Sequence, residues 1–342
     1  MQYNNILIVK LSAIGDVIHA LPVAPALKKC FPQAKISWVV EKTAYELLTN
    51  NPYIDEVIVF EKTNFKTVSG LLRHAPKFIT ELRSRRFDLA LDLQGLFKSS
   101  IISFLSGATT RFVYENAREG SGLLSRRIVG NYAAGHVVDR YLDVVRALGC
   151  HIDQPEFPLA ITKAEAEQAG SLIAHAGLKA GIPYVVLALG ANWSNKIWPA
   201  ENFAELCDRL SDDGQVVPVI IGGPGEIPLL NRLLEHTRIP PVSLVAKTSL
   251  KQLAFIIKHA QAFIGGDTGP MHLAAALGTP TIALMGPTDP IRNGPYGDSH
   301  QVILINRDCI GCWQRKCSQG LDCLADIPVH TVYSKLLEVM KL

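Results

Sequence analysis

Residues 263–287 read FIGGDTGPMHLAAALGTPTIALMGP. An apolar strand-like run breaks into Gly-Gly-Asp-Thr-Gly-Pro, a short helical pattern follows, and a second apolar strand starts almost at once. This is the punctuation of a β–α–β unit, and it predicts a parallel sheet. Gly265, Gly266 and Gly269 are expected to supply backbone angles that other residues resist. Asp267 or Thr268 is placed to cap the helix, Pro270 suits its first turn and Gly278 its end. A helix start of this kind also offers unpaired N–H groups and positive dipole to an anion.

The same alternation extends in both directions. Towards the N-terminus, strands are predicted at Ile6–Lys10, Ile36–Val40, Val57–Phe60, Leu89–Leu93 and Thr110–Val113, with helical patterns between several of them. Around HIDQPEFPLAITKAEAEQAGSLIAHAGLKAGIP the pattern breaks at two prolines and a Gly-Ile-Pro, then restarts at Tyr184–Leu189. Further strands follow at Val216–Ile221 and Val242–Val245. Helices are predicted near Asn202–Leu210, Pro228–His236 and Ser249–His259, with a closing amphipathic helix at the C-terminus. The reading is an α/β chain of two consecutive doubly wound domains, residues 1–165 and 166–342, facing across a cleft. Ligands in such folds bind beyond the carboxyl ends of the strands.

Composition narrows the classes. A chain of 342 residues holds two cores, and 48% apolar with 19% charged residues is a globular balance. A formal charge of +3 is too mild for a nucleic-acid binder. No apolar run approaches a membrane span, and the N-terminus enters a strand at once (NILIVK), so a cytoplasmic protein is expected. Seven cysteines, an odd count without an export signal, argue against a disulfide framework. Cys309, Cys312, Cys317 and Cys323 cluster in CIGCWQRKCSQGLDC. Their spacing could serve a zinc or iron–sulfur site, but free, partly buried thiols are the preferred reading.

Four strand ends carry unusual residues. After the first comes KLSAIGDVIHALP, where Asp16 is a helix cap or a general base. After YVVLALG comes ANWSNKIWPAENF, where Lys196 is a solvated lysine or a partner for phosphate oxygens. After VVPVIIGG comes PGEIP, with Glu226 either solvated or against a ribose hydroxyl. The fourth is the opening motif. Together they point to a nucleotide-diphosphate site. Neither G-x-G-x-x-G at the first turn nor a P-loop occurs, which disfavours the commonest hydride-transfer and ATP-hydrolysis designs.

At this point the residues resemble a family. ILIVKLSAIGDVIHALPVAPALKKCFPQAKISWVVE, LDLQGLFKSS, NKIWPAENFAEL, GGDTGPMHLAAALGTPTIALMGPTDP and the late cysteines resemble the ADP-heptose:lipopolysaccharide heptosyltransferases, glycosyltransferase family nine. Within that family, VKLSAIGDVIHALP, WVVE and YENAREG…GHVVDRY are most similar to the members that add the first heptose to the Kdo of inner-core lipopolysaccharide. The resemblance implies a GT-B fold of two Rossmann-like domains, donor on the second and acceptor on the first. It implies inversion at the transferred carbon, no cofactor and no metal.

Residue by residue, the resemblance implies Asp16 as catalytic base and Lys196 at the donor phosphates. Glu226 falls near the ribose, though GGPGE departs from the family's usual loop. Asn192 falls in the donor loop, Thr248 near the adenine, and Asp267, Thr268, Gly269, Pro270 and His272 in the diphosphate and sugar loop. Acceptor carboxylates and phosphates call for basic side chains: Lys62, Lys66, Lys98, Arg118 and Arg140, with Arg73, Arg126 and Arg127 as further candidates. The implied partners are an ADP-heptose donor and a Kdo-lipid A acceptor. A monomer is expected, peripheral on the cytoplasmic leaflet of the inner membrane, with a hinge near residues 165–180 and no nucleic acid bound. Another heptose or hexose transferase, a sugar-nucleotide epimerase and a nucleotide-sugar sensor remain the alternatives.

Overall fold

Runs such as NILIV and YVVLA lack polar alternation because the strands they form are buried on both faces. The computed structural model describes residues 2–340, and the chain divides between Ala160 and Ile161 into two units.

The first unit runs β1 (Asn5–Val9), α1 (Ile14–Ala20), α2 (Val23–Cys30), β2 (Lys35–Glu41), β3 (Glu56–Phe60), α3 (Val68–Ser84), β4 (Leu89–Asp92), α4 (Phe97–Leu105), β5 (Thr110–Tyr114), β6 (Arg126–Ile128) and α5 (Val137–Arg146). Its six strands lie in the order β3-β2-β1-β4-β5-β6, all parallel. Ile6 of β1 faces Ile36 on one side and Leu89 on the other. Leu7, Val9, Val39, Ala90 and Ile102 belong to the apolar layer beneath α3 and α4.

The second unit runs α6 (Lys163–His175), β7 (Tyr184–Ala188), α7 (Ala200–Asp213), β8 (Val217–Ile221), α8 (Ile227–His236), β9 (Val242–Ser243), α9 (Leu250–Lys258), β10 (Ala262–Gly266), α10 (Gly269–Ala276), β11 (Thr281–Met285), α11 (Pro290–Asn293), β12 (Gln301–Leu304) and α12 (Val329–Met340). Its strand order is β12-β11-β10-β7-β8-β9, again all parallel. Counted from its own first strand, each sheet has the order 3-2-1-4-5-6. The crossover direction reverses beside β1 in one sheet and beside β7 in the other, which opens a crevice at the carboxyl ends there. The two doubly wound sheets expected from the alternation are both present. The edge strands β6 and β12 go beyond the strands expected from sequence, because RRI and QVIL are too short and too mixed to show a strand pattern.

Two expectations are corrected. Gly265, Gly266 and Gly269 do not adopt positive φ, whereas Gly278, just past α10, does, at 74°. The first two are glycine because of crowding. A Cβ on Gly265 would lie 2.9 Å from the Ala188 Cβ, and one on Gly266 would lie 2.2 Å from the Lys196 carbonyl oxygen. The cysteines also include a disulfide, Cys30–Cys150, with Cα atoms 5.5 Å apart at a sequence separation of 120. Packing of α2 on α5 brings the two together, which cysteine counting does not reveal. Cys207, Cys309, Cys312, Cys317 and Cys323 are free thiols.

Substituting alanine at two glycines should therefore have opposite effects. Gly266→Ala must displace backbone and should cost about 1–3 kcal/mol. Gly170→Ala, inside α6 with nothing within 4 Å of the added carbon, should gain about 0.5–1 kcal/mol. Urea unfolding midpoints of the two variants check both signs.

Candidate functional site

In the second unit the reversal point of the sheet is occupied by charge. β10 ends at Gly266, Asp267 follows, Thr268 is the N-cap of α10 and Pro270 sits in its first turn. β7 leads through Asn192 into a tight turn at Ser194–Lys196, and Pro199 starts α7. Asp267 is buried. Its Oδ2 accepts from Lys196 Nζ at 2.6 Å and from Thr288 Oγ1 at 2.7 Å, and its Oδ1 lies 2.9 Å from His272 Nε2. Burial alone would raise this carboxyl. The His272 contact and the Lys196 charge outweigh it and hold Asp267 well below the usual carboxylate range.

Lys196 Nζ also lies 4.2 Å from the centre of the Trp193 ring, an attractive placement for a cation. Three strand ends, after β7, β10 and β11, thus meet at one carboxylate. Beside it, the Thr268 hydroxyl oxygen is buried with no hydrogen-bond partner among the described residues. The first amides of α10, at Gly269 and beyond, start there with the positive end of the helix dipole.

The other donor-side candidates lie on the same carboxyl edge. Glu226 Oε2 accepts from the Gly223 amide at 2.6 Å. Its side chain fills the space above Gly190, where a Cβ would come 2.1 Å from Glu226 Cγ. Asn192 is exposed in the loop after β7, and Thr248 is half-buried between β9 and α9. Of the predicted set, Lys196, Asp267 and His272 form one bonded cluster, and Thr268, Gly269 and Pro270 adjoin it in sequence.

In the first unit, Asp16 sits in the first turn of α1, and its Oδ2 accepts from the Ala13 amide at 3.2 Å. The capping reading is therefore correct as local structure. Its Oδ1 lies 3.9 Å from Lys10 Nζ, and the carboxylate side chain is 42% exposed while Lys10 is buried. Lys10 donates to Tyr141 Oη at 2.8 Å and to the Leu93 carbonyl at 3.3 Å. Burial would lower its ammonium, but Asp16, Tyr141 and Asp92 outweigh that and raise it. Asp92, at the end of β4, is pushed up to about 6 by burial despite hydrogen bonds from Gly95, Ser99 and Gln94 and the charge of Lys10. The Gln94 side chain accepts from the Leu11 and Ser12 amides, both at 3.1 Å, and so fixes the loop that carries Asp16.

Sequence reading missed Lys10, Asp92, Gln94, Tyr141 and Thr288. A signal existed for the first two: a charged residue closing an apolar strand, as in LIVK and LALD. The acceptor-side candidates Lys62, Lys66, Lys98, Arg118 and Arg140 all fall in segments leaving strand carboxyl ends. Lys62, Lys66 and Arg118 are exposed. Lys98 is paired with Glu41 at 2.6 Å, and Arg140 Nε donates to the Gly135 carbonyl at 3.0 Å.

In the late cysteine group, backbone amides of Leu321 and Gln319 lower the Cys317 thiol, whereas burial and then the neighbouring thiols raise Cys323. Among the described residues, no three or more His, Cys, Asp or Glu side chains are arranged to hold a metal ion.

The profile of glycosyltransferase family 9 (heptosyltransferase) matches residues 75–321. Lipopolysaccharide heptosyltransferase 1 of Pseudomonas aeruginosa is 30% identical over 324 residues, 92% of this chain and 87% of that protein. Lipopolysaccharide core heptosyltransferase OpsX of Haemophilus influenzae is 27% identical over 306 residues, 88% and 84% of the two chains. The solved structure of the Escherichia coli heptosyltransferase WaaC with ADP superposes with a TM-score of 0.76 at 25% identity, covering 98% of this chain and 99% of that one.

The two buried carboxylates should respond to pH in opposite directions. Asp267 is depressed, so its contribution is present above the ordinary carboxylate value of about 4 and is lost only as pH falls towards its lower folded value. Asp267→Asn strands Lys196 and should cost about 3–5 kcal/mol at neutral pH. Asp92 is raised, so the folded state holds a proton that the unfolded chain has released. Wild-type stability relative to Asp92→Asn should therefore fall as pH rises from about 4 to about 6. Urea midpoints between pH 3 and 8 would show both trends.

Proposed function

The chain belongs to glycosyltransferase family 9, the heptosyltransferases, and from that premise we propose that it moves heptose from ADP-L-glycero-D-manno-heptose onto a Kdo hydroxyl of Kdo-lipid A. It is a glycosyltransferase, and the step belongs to the synthesis of the lipopolysaccharide core. The observation that carries the donor assignment is the Asp267 cluster. It fixes Lys196 at the sheet's reversal point, next to the start of α10 and the unpartnered Thr268 hydroxyl. A diphosphate matches that arrangement, since it accepts hydrogen bonds and carries the charge a helix N-terminus favours.

In this reading the reaction is a single displacement. Asp16 takes the proton of the Kdo hydroxyl as that oxygen attacks the anomeric carbon. The bond from that carbon to the diphosphate oxygen breaks on the opposite face, inverting configuration, and ADP departs with the electron pair. The charge left on the diphosphate is met by Lys196 and by the amides at Thr268 and Gly269. Asp267 acts through Lys196 and His272, both of whose positions it sets. Lys10 and the Ala13 amide hold Asp16 in one orientation, leaving its half-exposed face open to the acceptor.

Asn192, Glu226 and Thr248 are assigned to the ribose and adenine side of the donor. Lys62, Lys66, Lys98, Arg118 and Arg140 are assigned to the anionic acceptor. Lys196 and the helix amides supply the positive charge in this scheme, so no metal is given a part. An epimerase is the weaker reading, because the family profile and the curated relatives are heptosyltransferases.

The acceptor carries acyl chains, and among the described residues no helix is long and apolar enough to cross a membrane. A monomer acting at the cytoplasmic leaflet of the inner membrane is part of the same proposal.

Incubation with ADP-heptose and Kdo-lipid A should yield a heptosylated product by mass, with EDTA present or absent. No product, or a requirement for Mg²⁺, would reject the scheme. Asp16→Asn should lower turnover roughly a hundredfold or more while ADP binding persists. Lys196→Ala should weaken ADP binding or turnover. Near wild-type turnover in Asp16→Asn would return that residue to a capping role alone.

A further inference from the structure

The start of α3 exposes apolar side chains that the fold leaves uncovered. Thr67 caps the helix by accepting from the Gly70 amide at 3.1 Å, so this end is defined. Further along, Phe78 packs on the core and Leu82 is buried. Leu71 lies seven residues before Phe78, on the same face, but is about half exposed, and Val68 and Leu72 are 76% and 73% exposed. The apolar face of α3 thus runs past the end of the core that its second half covers.

Other connections on this edge behave alike. Phe97 is the first residue of α4, and Val129 directly follows β6, where it is 74% exposed. The segments concerned leave the carboxyl ends of β3, β4 and β6. From β3 to β6 the sheet spans five strand spacings, roughly 24 Å at about 4.8 Å each. Residues 61–73 add three basic side chains, Lys62, Lys66 and Arg73, against one acidic, Glu61.

We propose that this carboxyl rim of the first unit is a membrane-docking surface for a bilayer with anionic headgroups. Val68, Leu71 and Leu72 enter the interface, and Lys62, Lys66 and Arg73 meet anionic groups at its surface, the lipid acceptor's own phosphates among them. The proposal deepens the lipid-acceptor reading and rests on it. Apolar side chains flanked in sequence by positive charge suit a lipid interface, where both parts find partners. The width of the rim favours a flat surface over a single side chain or peptide. The edge is also the one from which Asp16 and the acceptor-side lysines project in sequence order, so docking there would present the site to a lipid-borne acceptor.

The test uses the full chain and vesicles of phosphatidylcholine, with or without about a third of phosphatidylglycerol, in co-sedimentation at low and high salt. Wild type should bind the anionic vesicles, and high salt should weaken binding without abolishing it, because the apolar part is unscreened. Val68→Ser with Leu72→Ser should lower partitioning about tenfold or more. The same variant should keep its urea midpoint and its turnover on a deacylated, water-soluble Kdo acceptor. Val302→Ser with Leu304→Ser, exposed positions on β12, should bind vesicles like wild type.

The proposal is overturned if wild type binds no vesicles, if Val68→Ser with Leu72→Ser binds normally, or if the β12 variant loses as much. It is equally overturned if wild type is a dimer that Val68→Ser with Leu72→Ser dissociates, since the rim would then join two protein copies. Turnover on the deacylated acceptor judges heptosyl transfer separately: its absence rejects the functional reading, while vesicle binding still judges the rim.

Discussion

A parallel strand cannot be followed by a hairpin; the chain must cross over and re-enter the sheet from its other end. Six parallel strands per unit therefore send every outgoing connection from one edge of each sheet. On that edge the backbone is released from pairing, and the polar groups excluded from the strands can collect. Nearly everything chemical in this protein lies there. Asp16 and Gln94 follow β1 and β4, Asn192 and Lys196 follow β7, Glu226 follows β8, and Asp267 follows β10. The apolar runs and the reactive residues are consequences of the same topology.

The two reversal points use charge differently. In the second unit the carboxylate is the buried partner: Asp267 has both oxygens engaged and holds the 2.6 Å contact to Lys196. Its value is positional, fixing an ammonium and an imidazole beside the start of α10. In the first unit the ammonium is the buried partner. Lys10 is tied to Tyr141 and the Leu93 carbonyl, and Asp16 stands 3.9 Å away with its side chain 42% exposed. A carboxylate with an exposed face can meet an incoming hydroxyl, whereas one buried under three partners cannot. This difference in burial is why we propose the catalytic role for Asp16 and a positioning role for Asp267.

Close approach sets further limits on the residues at these edges. Gly265 and Gly266 let β10 pass against Ala188 and the Lys196 carbonyl, so the glycines and the lysine are one feature, separated by some seventy residues. Gly190 does the same for Glu226. On the first unit, Gln94 reaches back to the Leu11 and Ser12 amides, which couples the end of β4 to the loop bearing Asp16. Substitutions at Gln94 or Gly266 should therefore be felt at Asp16 and Lys196, which are their neighbours only in three dimensions.

The sequence by itself determined the alternation of apolar strands and amphipathic helices, and with it two doubly wound units, because strand burial and helix periodicity are local signals. Its motifs also marked Asp16, Lys196, Glu226 and the Asp267–His272 segment, since acids, a lysine and glycines at strand ends break a simple apolar pattern. What it left open depends on contacts between distant segments. The joining of Lys196, Thr288 and His272 at one carboxylate depends on three strands lying side by side. The Cys30–Cys150 bond depends on α2 packing against α5. The role of Gly265 and Gly266 as space-savers, and not as holders of positive φ, depends on what passes next to them. Lys10 and Asp92 close their strands as charged residues, but only the fold shows them buried, where desolvation raises the Asp92 carboxyl and Asp16 and Tyr141 hold the Lys10 charge. Periodicity along the chain carries no record of such neighbours; only the packed sheet does.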